Sequence, residues 1–365
     1  MLVHEYISVL TTKSKGTFGI RNAISSDAPY ICEVFKSIYE WEYLYPKVYN
    51  KMKLIEEINE EQNYWFCVDK LNEERVVGVG LLRKESEISI YAGKTVLKKA
   101  YQGLGISQLG TECIFSFLSH PRQENILRFD TDVRATNKNS QKFADKVRCI
   151  PYGFIPNYNN YADKRNFDPS ERMPFSKGKI EPVIMYVSPI RTYWKKRSRN
   201  IYFAKNQAIL SFYNELKKHT NRLGRDHIHM KQDPSRQLEK FNLKKDYYKS
   251  CIKIDGYLKE ETIQNLLQNY SNWNVIEWRV PTTQEGLSSQ YIALRNNFLV
   301  VGYDPGSFID INTSLENTFV NDTILFCLFP NGIDYDQFNN IKIFKKNQGI
   351  VDLVLEKVKN GKMKV

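Results

Sequence analysis

The residues with the clearest chemistry are Gln102, Gly103, Leu104, Gly105, Ile106 and Ser107, which follow the short run Val96, Leu97, Lys98 and Lys99. Gly103 and Gly105 fall where a β-rich stretch ends and helical spacing begins. From Ile106 onward the apolar residues recur at Leu109, Cys113, Ile114, Phe117 and Leu118, one face of a helix. The first backbone N–H groups of a helix have no partner inside it, and the aligned peptide dipoles add positive potential there. With no side chain on either glycine, an anionic group can approach those N–H groups closely. The segment therefore reads as a cradle for a phosphate, most naturally a pyrophosphate.

No second constellation of comparable strength appears. The six cysteines are scattered with no CxxC pair, and apart from His227 and His229 the five histidines are isolated, so no metal-ligand spacing emerges and no metal is expected. A net charge of +12 over 365 residues favours anionic ligands or partners. The start of the chain lacks the basic-then-apolar pattern of a signal peptide, and its longest strongly apolar run, 324–329, is too short to span a bilayer. The expectation is a soluble cytoplasmic protein with reduced thiols and no membrane association.

The elements that must position the cradle follow in order. Residues 18–23 read as a strand, then two helices carry Ile31, Val34, Phe35 and Ile38, and Met52, Ile55 and Ile58. Strands are expected over 64–69, 76–83 and 87–99, the last with a bulge at Gly93, followed by the cradle and its helix. A strand over 126–133, a helix over 137–147 capped by Asn137 or Asn139, and strands over 152–156 and 181–187 complete the first half.

This order and these residues resemble the GNAT superfamily of N-acetyltransferases. The family motif, Gln/Arg-x-x-Gly-x-Gly/Ala on a strand-to-helix turn after a bulged strand, is met by Gln102, Gly103, Leu104, Gly105 and Ile106, with Ser107 a small departure at the last position. An Asn before the next helix (Asn137 or Asn139) and Gly153-Phe154 opening a later strand also fit. The resemblance covers residues 1–190. It implies an α+β fold with a central mixed, mostly antiparallel sheet flanked by helices. It also implies acetyl-CoA as co-substrate, its pyrophosphate on the cradle and its pantetheine arm along the backbone of Val96, Leu97 and Lys98. For the chemistry, Glu87 is the expected base. The family's Tyr after the Asn is missing, since Ala144 and Lys146 stand there, leaving Tyr152, Tyr91 or solvent to protonate the thiolate.

Residues 191–244 are rich in Lys and Arg against only Glu215, Asp226, Asp233 and Glu239, and read as a basic connector with a short amphipathic helix at 207–216. Residues 245–365 contain no Gly-x-Gly. They echo the Gly153-Phe154 region at 295–303, and are expected to form a second, degenerate GNAT-like domain. Two-domain chains of this layout resemble the zwittermicin and paenilamicin self-resistance acetyltransferases. That resemblance implies transfer to a primary amine of a small polar molecule, such as an amino-containing antibiotic, bound between the domains. Two alternatives stay open: a biosynthetic acyltransferase serving an amino sugar or an acidic carrier protein, and a CoA-binding regulatory or scaffold protein without turnover. With no recognition motif, nucleic acid is not an expected partner.

Overall fold

The computed structural model describes residues 5–73, 75–168, 171, 178–234, 237–309 and 319–360. The remaining parts of the polar stretch 157–179 and of the basic connector lie outside the described residues. The first half comprises β1 (Ser8–Thr12), β2 (Gly16–Asn22), α1 (Ala28–Tyr39), α2 (Lys51–Asn59), β3 (Asn63–Lys70), β4 (Arg75–Lys84), β5 (Ser89–Leu97), α3 (Ser107–Ser119), β6 (Arg128–Arg134), α4 (Lys138–Lys146), β7 (Ile150–Tyr161) and β8 (Lys179–Pro189). Then come α5 (Tyr193–Lys196), β9 (Asn200–Ala204), α6 (Gln207–His219) and β10 (His227–Lys231). The second half holds β11 (Lys240–Asp246), β12 (Cys251–Tyr257), α7 (Glu260–Asn269), β13 (Val275–Pro281), α8 (Gly286–Arg295), β14 (Leu299–Ile309), β15 (Val320–Leu328) and α9 (Gln348–Asn360).

Thirteen of these strands form one continuous sheet, ordered β1-β2-β3-β4-β5-β6-β8-β7-β14-β15-β13-β12-β11, while β9 and β10 pair separately. Within the large sheet only β5/β6 and β12/β13 run parallel; the other neighbours are antiparallel. The fold is thus α+β with a mixed, mostly antiparallel sheet flanked by helices. The central strands are buried almost throughout, as their near-continuous apolar runs require when helices cover both faces. Helices α6 and α9 pack over the β7 and β14 seam, burying Ile209, Phe212, Ile350 and Val354. Among the described residues no helix is long and apolar enough to cross a membrane.

The two halves repeat one plan. In each, a parallel strand pair joined by a helix is followed by a second helix and an antiparallel hairpin: β5-α3-β6-α4-β7-β8, then β12-α7-β13-α8-β14-β15. The irregularities repeat too. The β7/β8 register shifts at Pro151/Gly153 and Ile155/Asn159; that of β14/β15 shifts at Val300/Gly302 and Asp304/Phe308. Arg148 (φ 62°) and Asn297 (φ 58°) take the same left-handed conformation just before β7 and β14, and Lys94 (φ 51°) and Gly256 (φ 118°) do so within β5 and β12. The halves meet at Gly153 and Gly302, paired across the seam.

That seam needs its glycines. A Cβ on Gly302 would stand 2.7 Å from the Tyr152 carbonyl oxygen and 2.8 Å from Gly153 Cα, both backbone atoms that cannot swing aside. Gly302→Ala is expected to push the halves apart and cost about 2 kcal/mol of stability, in the range of overpacked cores. The check is urea unfolding, where a midpoint unchanged from wild type would show that the seam yields freely.

Several expected elements differ. The strand expected over 87–99 begins only at Ser89, because Glu85, Ser86 and Glu87 form the turn out of β4. The bulge sits at Lys94, one residue beyond Gly93. Strand β7 runs on to Tyr161, well past the expected end at 156. Strand β1 has no counterpart in the sequence reading. The basic stretch is structured beyond its helix, carrying β9 and β10, and the boundary drawn at 244/245 cuts through β11.

Candidate functional site

The parallel pair β5/β6 is hydrogen-bonded only from Ser89↔Arg128 to Ala92↔Thr131. Beyond that the strands part. Strand β5 continues to follow β4, through Val96↔Val79 and Leu97↔Gly78, after a register shift that accommodates Lys94. A bulge bends its strand and redirects it, and here it leaves the β6-facing edge of 95–97 without a strand partner. The bulge is anchored: the buried Lys94 ammonium pairs with Glu57 of α2 at 2.5 Å and lies over the Trp65 ring at 4.9 Å. Burial pulls the Lys94 pKa below the usual value, with Glu57 opposing that shift.

At the end of β5 the chain turns through the cradle. Gly103 (φ 80°) and Gly105 (φ 81°) both adopt the left-handed conformation that favours glycine, and a Cβ built on either meets nothing within 4 Å. The space beside them opens on a cleft of ≈ 1600 Å³. Gln102 Nε2 donates to the Leu97 carbonyl oxygen at 2.9 Å and so ties the cradle to the strand. Lys146, at the end of α4, donates to Ser107 Oγ at 3.2 Å and brings a cation to the cradle. Asn137 is the cap of α4, its Oδ1 accepting from the Asn139 and Ser140 amides at 3.1 and 3.2 Å.

Val96, Leu97, Gln102, Gly103, Gly105, Ile106, Ser107, Asn137 and Asn139 line the cleft. Lys98 and Leu104 do not. The Lys98 amide bonds the Val77 carbonyl at 2.9 Å, and Leu104 packs against the core.

The expected catalytic residues are placed less centrally. Glu87 lines the cleft from the β4–β5 turn, but its side chain is 66% exposed and pairs with Lys84 at 3.2 Å. Tyr152 is buried on β7, where its hydroxyl accepts from Arg279 at 3.3 Å, and burial raises its pKa well above the usual value. The structure brings a different carboxylate to the parting of the strands: Asp132, the residue after the last β5/β6 rung. The Tyr91 hydroxyl donates to Asp132 Oδ1, and the Lys249 ammonium lies 3.7 Å from Oδ2. Burial works against its charge, yet Lys249, the Tyr91 hydroxyl and Lys253 together hold Asp132 below the ordinary carboxylate pKa. The Tyr91 phenol is pushed the other way by burial and by Asp132, so it keeps its proton. The one sequence signal for Asp132 was a pair of carboxylates, Asp130 and Asp132, in the strand between Phe129 and Val133.

The second half supplies the opposite wall, including Lys244, Lys249, Lys253, Asp255, Glu277 and Arg279. Its own parallel pair, β12/β13, makes no comparable opening. The amide and carbonyl that follow β12, those of Leu258, are both bonded to Ser289 Oγ of α8, at 3.0 and 3.1 Å. Glu260 and Glu261 occupy the first turn of α7, where their charge opposes an incoming phosphate.

No family model matches the chain, and no curated protein matches it. Solved structures with partial similarity include RimL, a ribosomal L7/L12 alpha-N-protein acetyltransferase (20% identity, TM-score 0.39, covering 51% of this chain and 95% of that one). Another is the ribosomal-protein-S5-alanine acetyltransferase from Vibrio fischeri (17% identity, TM-score 0.37, 47% and 92% covered). A third is the spermidine N-acetyltransferase from Vibrio cholerae in complex with CoA and spermine (14% identity, TM-score 0.36, 47% and 95% covered). These are similarities of limited extent, and none bears on what this chain binds or does.

Proposed function

We propose that the protein is a GNAT-type N-acetyltransferase that moves an acetyl group from acetyl-CoA to a primary amine of a small polar molecule held between its two halves. The observation that carries this reading is the parting of β5 from β6 directly beside the open Gly103–Gly105 cradle. A strand edge without a strand partner suits a pantetheine arm, which pairs as an added strand would, although Gln102 already takes the Leu97 carbonyl oxygen there. The cradle suits a pyrophosphate, since the space a Cβ would fill is open and Lys146 stands at its rim. The bound co-substrate supplies a thioester carbonyl open to attack.

The chain's residues do the rest. Asp132, held anionic at the fork, receives the acceptor's amine and stabilises the positive charge that grows on the attacking nitrogen; as the N–C bond forms the C–S bond breaks, and the nitrogen's proton passes to the departing thiolate to release coenzyme A. Tyr91 orients Asp132 through its hydroxyl. Lys249 keeps the carboxylate ionised. The second half closes the cleft and shapes it to the acceptor, a class that includes amino-bearing antibiotics.

Calorimetric titration with acetyl-CoA tests the cofactor assignment. One site per chain is expected, because the β12/β13 fork is closed by Ser289 and faced by Glu260 and Glu261. Absence of binding would remove the assignment, and two sites would remove the argument from closure.

A further inference from the structure

Lys244 and Lys253 stand directly opposite each other on β11 and β12, so their side chains share one face of the sheet. Like charges in that position repel, and Glu277, opposite Lys253 on its other side on β13, offsets part of that cost. Both line the cleft, and neither has a carboxylate within ion-pair distance among the described residues. A third ammonium joins them. Lys249 and Lys253 both sit over the Tyr158 ring, at 4.2 and 5.4 Å from its centre. Three lysines thus converge on one floor of the cleft, one of them 3.7 Å from Asp132.

The same floor carries buried acceptors without donors. Glu277 (1% exposed) lines it and accepts from Arg279 at 2.9 Å through Oε1, while Oε2 accepts nothing from the described residues. Asn159 (2% exposed) lines it too, with Oδ1 likewise unpartnered. Buried polar atoms are nearly always paired in a folded chain, and these two stand out against that rule.

We infer that the acceptor is a zwitterion, carrying its reactive amine a few bonds from an anionic group. Lys249 and Lys253 hold the anion, and Asp132 faces the amine. The anion is a carboxylate or a phosphate, which lysine ammonium groups bind alike. This inference rests on the acetyl-transfer reading and names its acceptor class. Burial opposes the charge of Lys253, but Glu277 keeps its pKa above the usual lysine value, so the site stays cationic.

The test uses matched acceptors with acetyl-CoA, following release of the coenzyme thiol: L-lysine against cadaverine, and O-phosphoethanolamine against ethanolamine. In at least one pair the member bearing the anionic group should exceed the one lacking it in kcat/KM by about tenfold or more, the worth of a hydrogen bond to a charged group. The pair that responds identifies the anion. Lys253→Met should remove the preference by raising KM for the member bearing the anionic group, with acetyl-CoA affinity unchanged. Equal turnover of the members with and without the anionic group would overturn the inference.

A second arm is independent of turnover. Melting temperature is measured at fixed ionic strength with and without inorganic phosphate or acetate. The anion should stabilise the wild type more than Lys253→Met, and the variant alone should melt lower, because the buried Glu277 loses the cation opposite it on β13. Anion binding in the Gly103–Gly105 cradle cancels in this comparison because both proteins share it. Equal stabilisation of the two would overturn the inference. Loss of acetyl-CoA binding with this difference intact would instead defeat the transfer reading and leave the anion site standing.

Discussion

Gly105→Val is expected to raise the Kd for acetyl-CoA by about a hundredfold or more while the fold persists. Gly105 sits at φ 81°, where a β-branched residue is strained by roughly 1–2 kcal/mol, so the loop relaxes toward a negative φ and its N–H groups turn away. Two charge-assisted hydrogen bonds lost at about 1.5 kcal/mol each give the expected factor. The open space around Gly105 means that no core contact is crushed, so thermal unfolding should shift little. Calorimetry on the variant beside wild type reads the result. Undiminished affinity would show that the phosphate lies elsewhere, and the basic residues of the second half would be the next place to look.

Asp132→Asn is expected to lower kcat/KM for the acceptor by about two to three orders of magnitude, with acetyl-CoA affinity unchanged. The substitution keeps the size of the side chain and an oxygen for the Tyr91 hydroxyl, but removes the charge that faces the amine. Losing one preorganised electrostatic partner costs rates of this order. Stability carries an independent signature. The native pKa of Asp132 is lowered, so its contribution is present above the unfolded value of about 3.9 and is lost as pH falls through the native one. The stability gap between wild type and variant should therefore be widest near neutrality and close in acid. A gap independent of pH would mean that Asp132 is not held ionised by Lys249 and Tyr91. The same rate measurement on Glu87→Gln decides which carboxylate acts: a comparable loss there would return the role to the β4–β5 turn.

The first half was legible because its signals are local. Glycine spacing, helix periodicity and the Asn137 cap each act within a few residues, and the cradle, α3 and α4 follow them closely. Glu87 was misplaced by a local ambiguity: Glu85, Ser86 and Glu87 suit a strand start as well as a turn, and the pairing of β4 with β5 settles it as a turn. Asp132 could not be singled out from Asp130 by sequence. The two stand two residues apart on one strand face, and only the end of the β5/β6 pairing separates them, leaving Asp130 beside Arg128 and Asp132 at the fork.

The sequence by itself determined the glycine turn at Gly103 and Gly105, most of the helices and strands, and a weak echo of the first half in the second. Each depends on backbone conformations and periodicities that neighbouring residues dictate. The tertiary structure alone decided that the halves share a continuous sheet, joined where Gly153 meets Gly302, and that the repeat extends to matching bulges and left-handed residues. It also decided that Lys249, Lys253 and Glu277 face Asp132 across one cleft. Strand pairing brings together residues more than a hundred positions apart, and no local pattern encodes which edge will meet which.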